Sequence, residues 1–307
     1  MRGLQGLVAA AVLTALLVAL VSSGAGLRAY RRVRMYVYGA ARDTQRLLLE
    51  RKVSSMQTLR REHVVVRFAE RDAMGEEIAD QAEAAYLFVA QKLGRDPRHE
   101  ELRPVTVVVY PSFQALEEEF PVSAGSVGVY WAGVVAMVSP FGWGETFGKG
   151  ETEDLFLMYN PLAHEMTHYV LDYMAGGNYP RWFSEGLAQL AESEWNGYVL
   201  DGGRRIGSGD YPIRALENAF DRLSDANAAY LKSFDLVKLI ESAVEERGGS
   251  GGIQRIVACL MYGNDLQEAL KRLGGVDYDA LEQRLSARPG LPVKDRYESS
   301  LKERGKG

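Results

Sequence analysis

The residues most able to do chemistry are two histidines four positions apart with an acid between them: His164-Glu165-Met166-Thr167-His168. On a helix four residues turn the chain by about 400°, so both imidazoles lie on one face, one turn apart, where they can reach a single cation. Zinc suits such a pair. It accepts neutral imidazole nitrogen and carboxylate oxygen, and a catalytic zinc keeps three protein ligands so that water can take the fourth place. Glu165, roughly 100° around the helix from His164, is placed to act on that water as a base. The third ligand falls to Glu185. Ala175-Gly176-Gly177-Asn178 ends the first helix, and Pro180-Arg181-Trp182 opens a second one that carries Glu185 back toward it.

Two helices must therefore hold the site. Asn160 reads as the N-cap of the first and Pro161 as its first helical residue, where a missing N–H costs nothing. Gly186 and Ala188 are small enough for the second helix to pack closely against the first. Glu185, Gln189 and Glu192, at i, i+4 and i+7, also fit an ordinary solvated stripe. Against that bland reading, two of only four histidines in the chain fall in this motif.

His164-Glu165-x-x-His168 followed by Pro180-x-Trp182-x-x-Glu185-Gly186-Leu187-Ala188 resembles the gluzincin metallopeptidases, in particular the bacterial peptidase MA-like domains. The motifs are specific but confined to residues 160–192; outside them the likeness is one of pattern. The resemblance implies zinc on His164, His168 and Glu185, with Glu165 as general base and then proton donor. It implies that an extended peptide or protein substrate pairs with the strand bordering the active-site helix, here the stretch Val134 to Val138; an ordinary core hairpin is the alternative. It also implies an oxyanion donor from the C-terminal lobe. Tyr230 is the candidate, because Ala229-Tyr230-Leu231-Lys232-Ser233 resembles the helix start that follows the zinc helices in these domains; a tyrosine that only packs its ring is the alternative. One position departs from the family. Four residues after the glutamate ligand an acid often orients a ligating histidine, whereas this chain has Gln189, whose amide oxygen raises ligand basicity less than a carboxylate does.

The 307 residues, 47% hydrophobic and 25% charged, allow a sizeable folded core. The single cysteine, Cys259, lies in the apolar run Ile256 to Met261 and reads as a core residue. Leu4 to Ala25 is apolar and uncharged, long enough for a helix to cross a bilayer, and reads as a retained anchor in preference to a cleaved signal peptide. The charge that follows is uneven: residues 1–61 hold eleven Lys or Arg against Asp43 and Glu50, in a chain of net charge −5. Residues 27–61 therefore read as a basic juxtamembrane segment attracted to anionic lipid, with Tyr30, Tyr36 and Tyr38 suited to the interface. No nucleic-acid-binding module accompanies the run, and the acidic body would repel phosphate. The positive-inside rule places the body in the cytoplasm, whereas the resemblance places it outside the membrane.

From Glu62 a folded pattern begins. His63 to Phe68 and Pro104 to Tyr110 read as strands, Gly75 to Leu93 and Gln114 to Phe120 as helices, and Val127 to Ser139 as a hairpin turning near Ala132-Gly133. Gly142-Trp143-Gly144 opens a glycine-rich loop, a plain surface loop or a cleft lid. After Glu194, Leu216 to Leu223, Ala228 to Glu246, Ile253 to Tyr262, Leu266 to Leu273 and Tyr278 to Leu285 read as helices. The expected class is α+β: a mixed-sheet lobe at 62–158, zinc helices and a helical lobe at 159–288, one N-terminal transmembrane helix within 1–26, and a polar tail at 289–307. His63 and His99 read as structural. The expected function is a single-pass, membrane-anchored zinc peptidase; the competing class is a membrane-tethered, non-catalytic binding module that uses the metal as a staple.

Overall fold

Valine-rich segments build the sheet. The structure, a computed structural model, describes residues 24–70, 72–96, 104–122, 125–143, 152–200 and 211–287. Strands β1 (Gln57–Arg60), β2 (Val64–Phe68), β3 (Val105–Tyr110), β4 (Gly128–Trp131) and β5 (Val134–Val138) form one mixed sheet in the order β1-β2-β3-β5-β4. β2, β3 and β5 run parallel, and β1 and β4 add antiparallel edges. Every residue of β3 and β5 is buried, the near-continuous apolar pattern of strands covered on both faces. Ala132 and Gly133 both have positive φ, 46° and 84°, as a two-residue hairpin turn matched to strand twist requires.

Strand order decides between the two readings of Val134–Val138. β5 is interior between β3 and β4, as in a core hairpin, so it offers no backbone edge; the edge on that side of the sheet is β4. β1 lies within the basic stretch that the pattern alone places before the folded body.

Helix α1 (Gly24–Lys52) precedes the sheet, and α2 (Gly75–Leu93) and α3 (Phe113–Glu119) follow β2 and β3. α4 (Thr152–Tyr159), which periodicity did not single out, leads into α5 (Leu162–Ala175) and α6 (Arg181–Trp195). α7 (Ile213–Ala219), α8 (Ala226–Gly248), α9 (Gly252–Met261), α10 (Leu266–Leu273) and α11 (Tyr278–Ser286) make the helical lobe, so the chain is α+β. α2 and α5 pack on each other and against the sheet, while α6 is clasped between α5 and α8. Gly186 matters at the second of these contacts and not, as expected, at the first: a Cβ there would stand 2.2 Å from the Ser233 carbonyl oxygen of α8.

α1 is part of this body. Arg31 pairs with Asp265 and Glu268, and Met35 lies against the turn at Gly176. The buried Arg42 reaches Asp172 of α5. Other arginines of the basic stretch face protein too: Arg46 is buried beside Glu50, which in turn accepts from Thr106 of β3, and Arg61 pairs with Glu76 and Asp80 of α2. The expected membrane span lies outside the described residues apart from Gly24 and Ala25; among the described residues no helix is long and apolar enough to cross a membrane. Trp143 is neither lid nor loop surface, since it is fully buried, packs on Phe156 and donates its indole N–H to the Val138 carbonyl.

Candidate metal centre

α5 carries His164, Glu165 and His168, and α6 carries Glu185. The first helix begins one residue later than its sequence suggests: Pro161 occupies the capping position without a side-chain bond, and the Asn160 side-chain oxygen is buried without a partner. Its end is as expected, at Gly176 in the left-handed conformation. The helices then converge. His164 Nε2 stands 3.5 Å and His168 Nε2 3.6 Å from Glu185 Oε2, and the two imidazole centroids are 5.0 Å apart. Ligand atoms bound tetrahedrally at 2.0–2.2 Å lie roughly 3.3–3.6 Å from one another, so the two histidine-to-glutamate separations fit one ion. His164, His168 and Glu185 together form a group that could hold a metal.

The remaining atoms of these three side chains are engaged elsewhere, which fixes the inward ones. His164 Nδ1 lies 3.1 Å from Glu192 Oε2, and His168 Nδ1 lies 2.7 Å from the Ser184 hydroxyl. With Nδ1–H donated outward, each Nε2 turns its lone pair to the centre. Arg181 holds Glu185 Oε1 at 2.8 Å and leaves Oε2 facing the histidines. Gln189 does not take the orienting role expected of its position: its amide N–H groups go to the backbone carbonyls of Tyr230, at 2.8 Å, and Glu185. Glu192, seven residues beyond the ligand instead of four, supplies the carboxylate.

The two imidazoles sit in acidic surroundings. Burial opposes charge on His164, but the carboxylates of Glu185 and Glu192 outweigh it and hold that imidazole well above its usual pKa. Burial likewise works against ionised Glu185, yet His168, His164 and Arg181 hold it well below the carboxylate range. Burial raises the Glu165 carboxyl while the two histidines pull it back. Two imidazoles thus sit among three carboxylates, one of them also paired with Arg181, surroundings that a bound cation would suit. Among the described residues one other group has similar spacing, Glu62, His63 and Glu83, but there Glu83 is already engaged by the His63 ring and backbone N–H, and the ring stacks on Tyr86. His63, which reads as structural, has its ring bonded to Glu83 and stacked on Tyr86; His99 lies outside the described residues.

Tyr230 is near the start of α8, its ring 5.3 Å from Phe220. Burial and then the negative charge of Glu185 raise its pKa, while Arg181 opposes them. Edge strand β4 crosses the other flank of the site. Gly128 approaches α5 so closely that a Cβ would lie 2.7 Å from Pro161 Cγ and 3.2 Å from Glu165 Cγ. Tyr130, also of β4, stacks on His168 with centroids 6.5 Å apart and donates its hydroxyl to Asp172. Asp172, fully buried, also accepts from Tyr179 at 3.1 Å and lies 3.5 Å from Arg42 Nη1. Sequence reasoning missed Asp172, although its place four residues after His168 on the same helical face was a signal. No family model matches the chain, and a search of curated proteins found no match.

Proposed function

We propose that this chain is a zinc peptidase of the gluzincin type, held at a membrane by the apolar run Leu4 to Ala25. The observation that carries the reading is the convergence of His164 Nε2, His168 Nε2 and Glu185 Oε2, with each outward atom engaged and Glu165 buried alongside. Bound there, zinc supplies Lewis-acid polarisation and a water nucleophile usable near neutral pH. The chain's own residues do the rest. Glu165 accepts a proton at its carboxylate as the scissile carbonyl is attacked and delivers it to the departing amine. The Tyr230 hydroxyl donates to the carbonyl oxygen as negative charge grows on it. The free edge of β4 pairs with an extended substrate and sets the scissile bond beside Glu165.

Glu165→Gln tests this most directly. The amide keeps the shape of the acid and makes no bond to metal, but it cannot take the proton. The variant should retain zinc and wild-type thermal stability, while cleavage of a mixed peptide library falls at least about 100-fold. Equal cleavage by the variant, with a chelator control to exclude contaminants, removes Glu165 from the mechanism. Wild-type protein that holds zinc yet cleaves nothing across a broad library favours the non-catalytic module instead.

A further inference from the structure

We propose that α1 is a dimer seam, and that its outward face packs in parallel on the same face of a second copy of this chain. Ordinary amphipathicity is inverted in this helix. Arg31, Arg42 and Arg46 turn toward the body with Met35 and Leu49, whereas Tyr30, Val33, Val37, Leu47 and Leu48 are exposed. Tyr30, Val33, Val37, Ala40, Thr44 and Leu47 are all exposed and follow one another at intervals of 3, 4, 3, 4 and 3 residues. That alternation is the heptad seam of a two-stranded coiled coil. Met35, Arg42 and Leu49, at the position opposite such a seam, are the ones that meet the body, so both faces of the helix agree on one phase. Val33, Val37 and Leu48 are 64%, 62% and 60% exposed, and Thr44 gives its hydroxyl to the Ala40 carbonyl, leaving its methyl for the seam.

The occupant follows from charge and tethering. A helix lying on lipid keeps basic side chains on its polar face for headgroups. Here that face is closed by the body, and Arg31 and Arg42 are spent on Asp265, Glu268 and Asp172. A second copy meets no such obstacle. In a parallel pair the flanking positions oppose Ala29 to Arg34, Tyr36 to Ala41 and Asp43 to Leu48, so no like charges face each other. The apolar run Leu4 to Ala25 leads directly into α1 and, inserted in one membrane, would start two copies side by side and in the same direction. A seam of about 27 Å is short for a stable interface in solution. Confinement to a membrane raises the effective concentration and offsets that weakness.

Full-length protein in membranes tests the seam, in a Cys259→Ala background that leaves no other thiol. Val33→Cys, Ala40→Cys and Leu47→Cys should each give a dimer band with a short bis-thiol cross-linker, and Gln45→Cys, exposed but off the seam, should give little. Adding Val37→Asp to Leu47→Cys should cut the cross-linked fraction at least about tenfold, because like charges would then face across the seam, without lowering the melting temperature of the body. Equal cross-linking at Gln45→Cys would mean random collision and overturn the proposal. So would monomeric seam variants whose Val37→Cys label is quenched from within the bilayer, which would assign the face to lipid.

Discussion

The orientation of each metal-facing imidazole rests on one neighbour, and the two neighbours differ in kind. His168 leans on a neutral hydroxyl, Ser184, while His164 leans on a carboxylate, Glu192. An ionised acceptor makes the stronger bond and raises ligand basicity more. Glu192→Ala should therefore weaken zinc binding by about 10- to 100-fold in chelator competition. Gln189→Ala touches no imidazole and should leave that competition near wild type, although it frees the carbonyl of Tyr230. Reversed sensitivities would return the orienting role to Gln189. The sequence made His164, Glu165, His168 and Glu185 legible because their spacing alone brings them together. It could not choose between Gln189 and Glu192. Both lie on the stripe that carries Glu185, and which of them meets His164 depends on how the helices cross: Glu192 reaches His164 of α5, while Gln189 reaches the Tyr230 carbonyl of α8.

Among the elements, β4 is the one on which the proposed pairing of a peptide beside Glu165 depends. The hairpin and its turn at Ala132-Gly133 were readable from the chain, yet the outer strand was not, because alternation says that two strands pair and not which of them joins β3. Burial also hides the answer: β5 is wholly apolar because it is interior, which makes it the more conspicuous strand in the sequence. Gly128→Ala probes the outer strand. The new methyl would meet Pro161 and Glu165, so β4 or the base must shift, an overpacking that costs about 1–3 kcal/mol. Peptide turnover should fall while zinc content stays full, since the atoms nearest that methyl belong to Pro161 and Glu165 and not to His164, His168 or Glu185. Undiminished kcat/KM would show that substrate does not depend on this approach of strand to helix.

At the scale of the whole molecule, helices α1 and α5 and edge strand β4 share one buried acid. Asp172 receives Tyr130 from β4 and Tyr179 from the α5–α6 turn, and it faces Arg42 from α1. A pattern search reads the arginines of α1 as surface charge, because a stretch rich in arginine carries no sign that some of them face protein. Their packing is visible only once α1 lies against α5. Arg42 is 8% exposed, with its guanidinium 3.5 Å from the Tyr173 ring centroid and bonded to the Asp172 carbonyl at 3.1 Å. Replacing it with methionine fills the space but leaves Asp172 buried with tyrosine donors alone. Breaking a buried pair from one side costs about 3–5 kcal/mol, so Arg42→Met should lower stability to chemical denaturation by that order. Asp172→Asn in the same chain removes the stranded charge and should recover part of the loss, a coupling of at least about 1 kcal/mol in a double-mutant cycle. The recovered protein should still lack full activity, because Tyr130 stacks on His168 and its hydroxyl would have lost its anionic acceptor. Single and double variants that unfold within about 0.5 kcal/mol of wild type would mean that α1 is not docked on the rest of the fold. In that case the helix would be a free tether, and nothing done to it could reach the metal centre through Asp172.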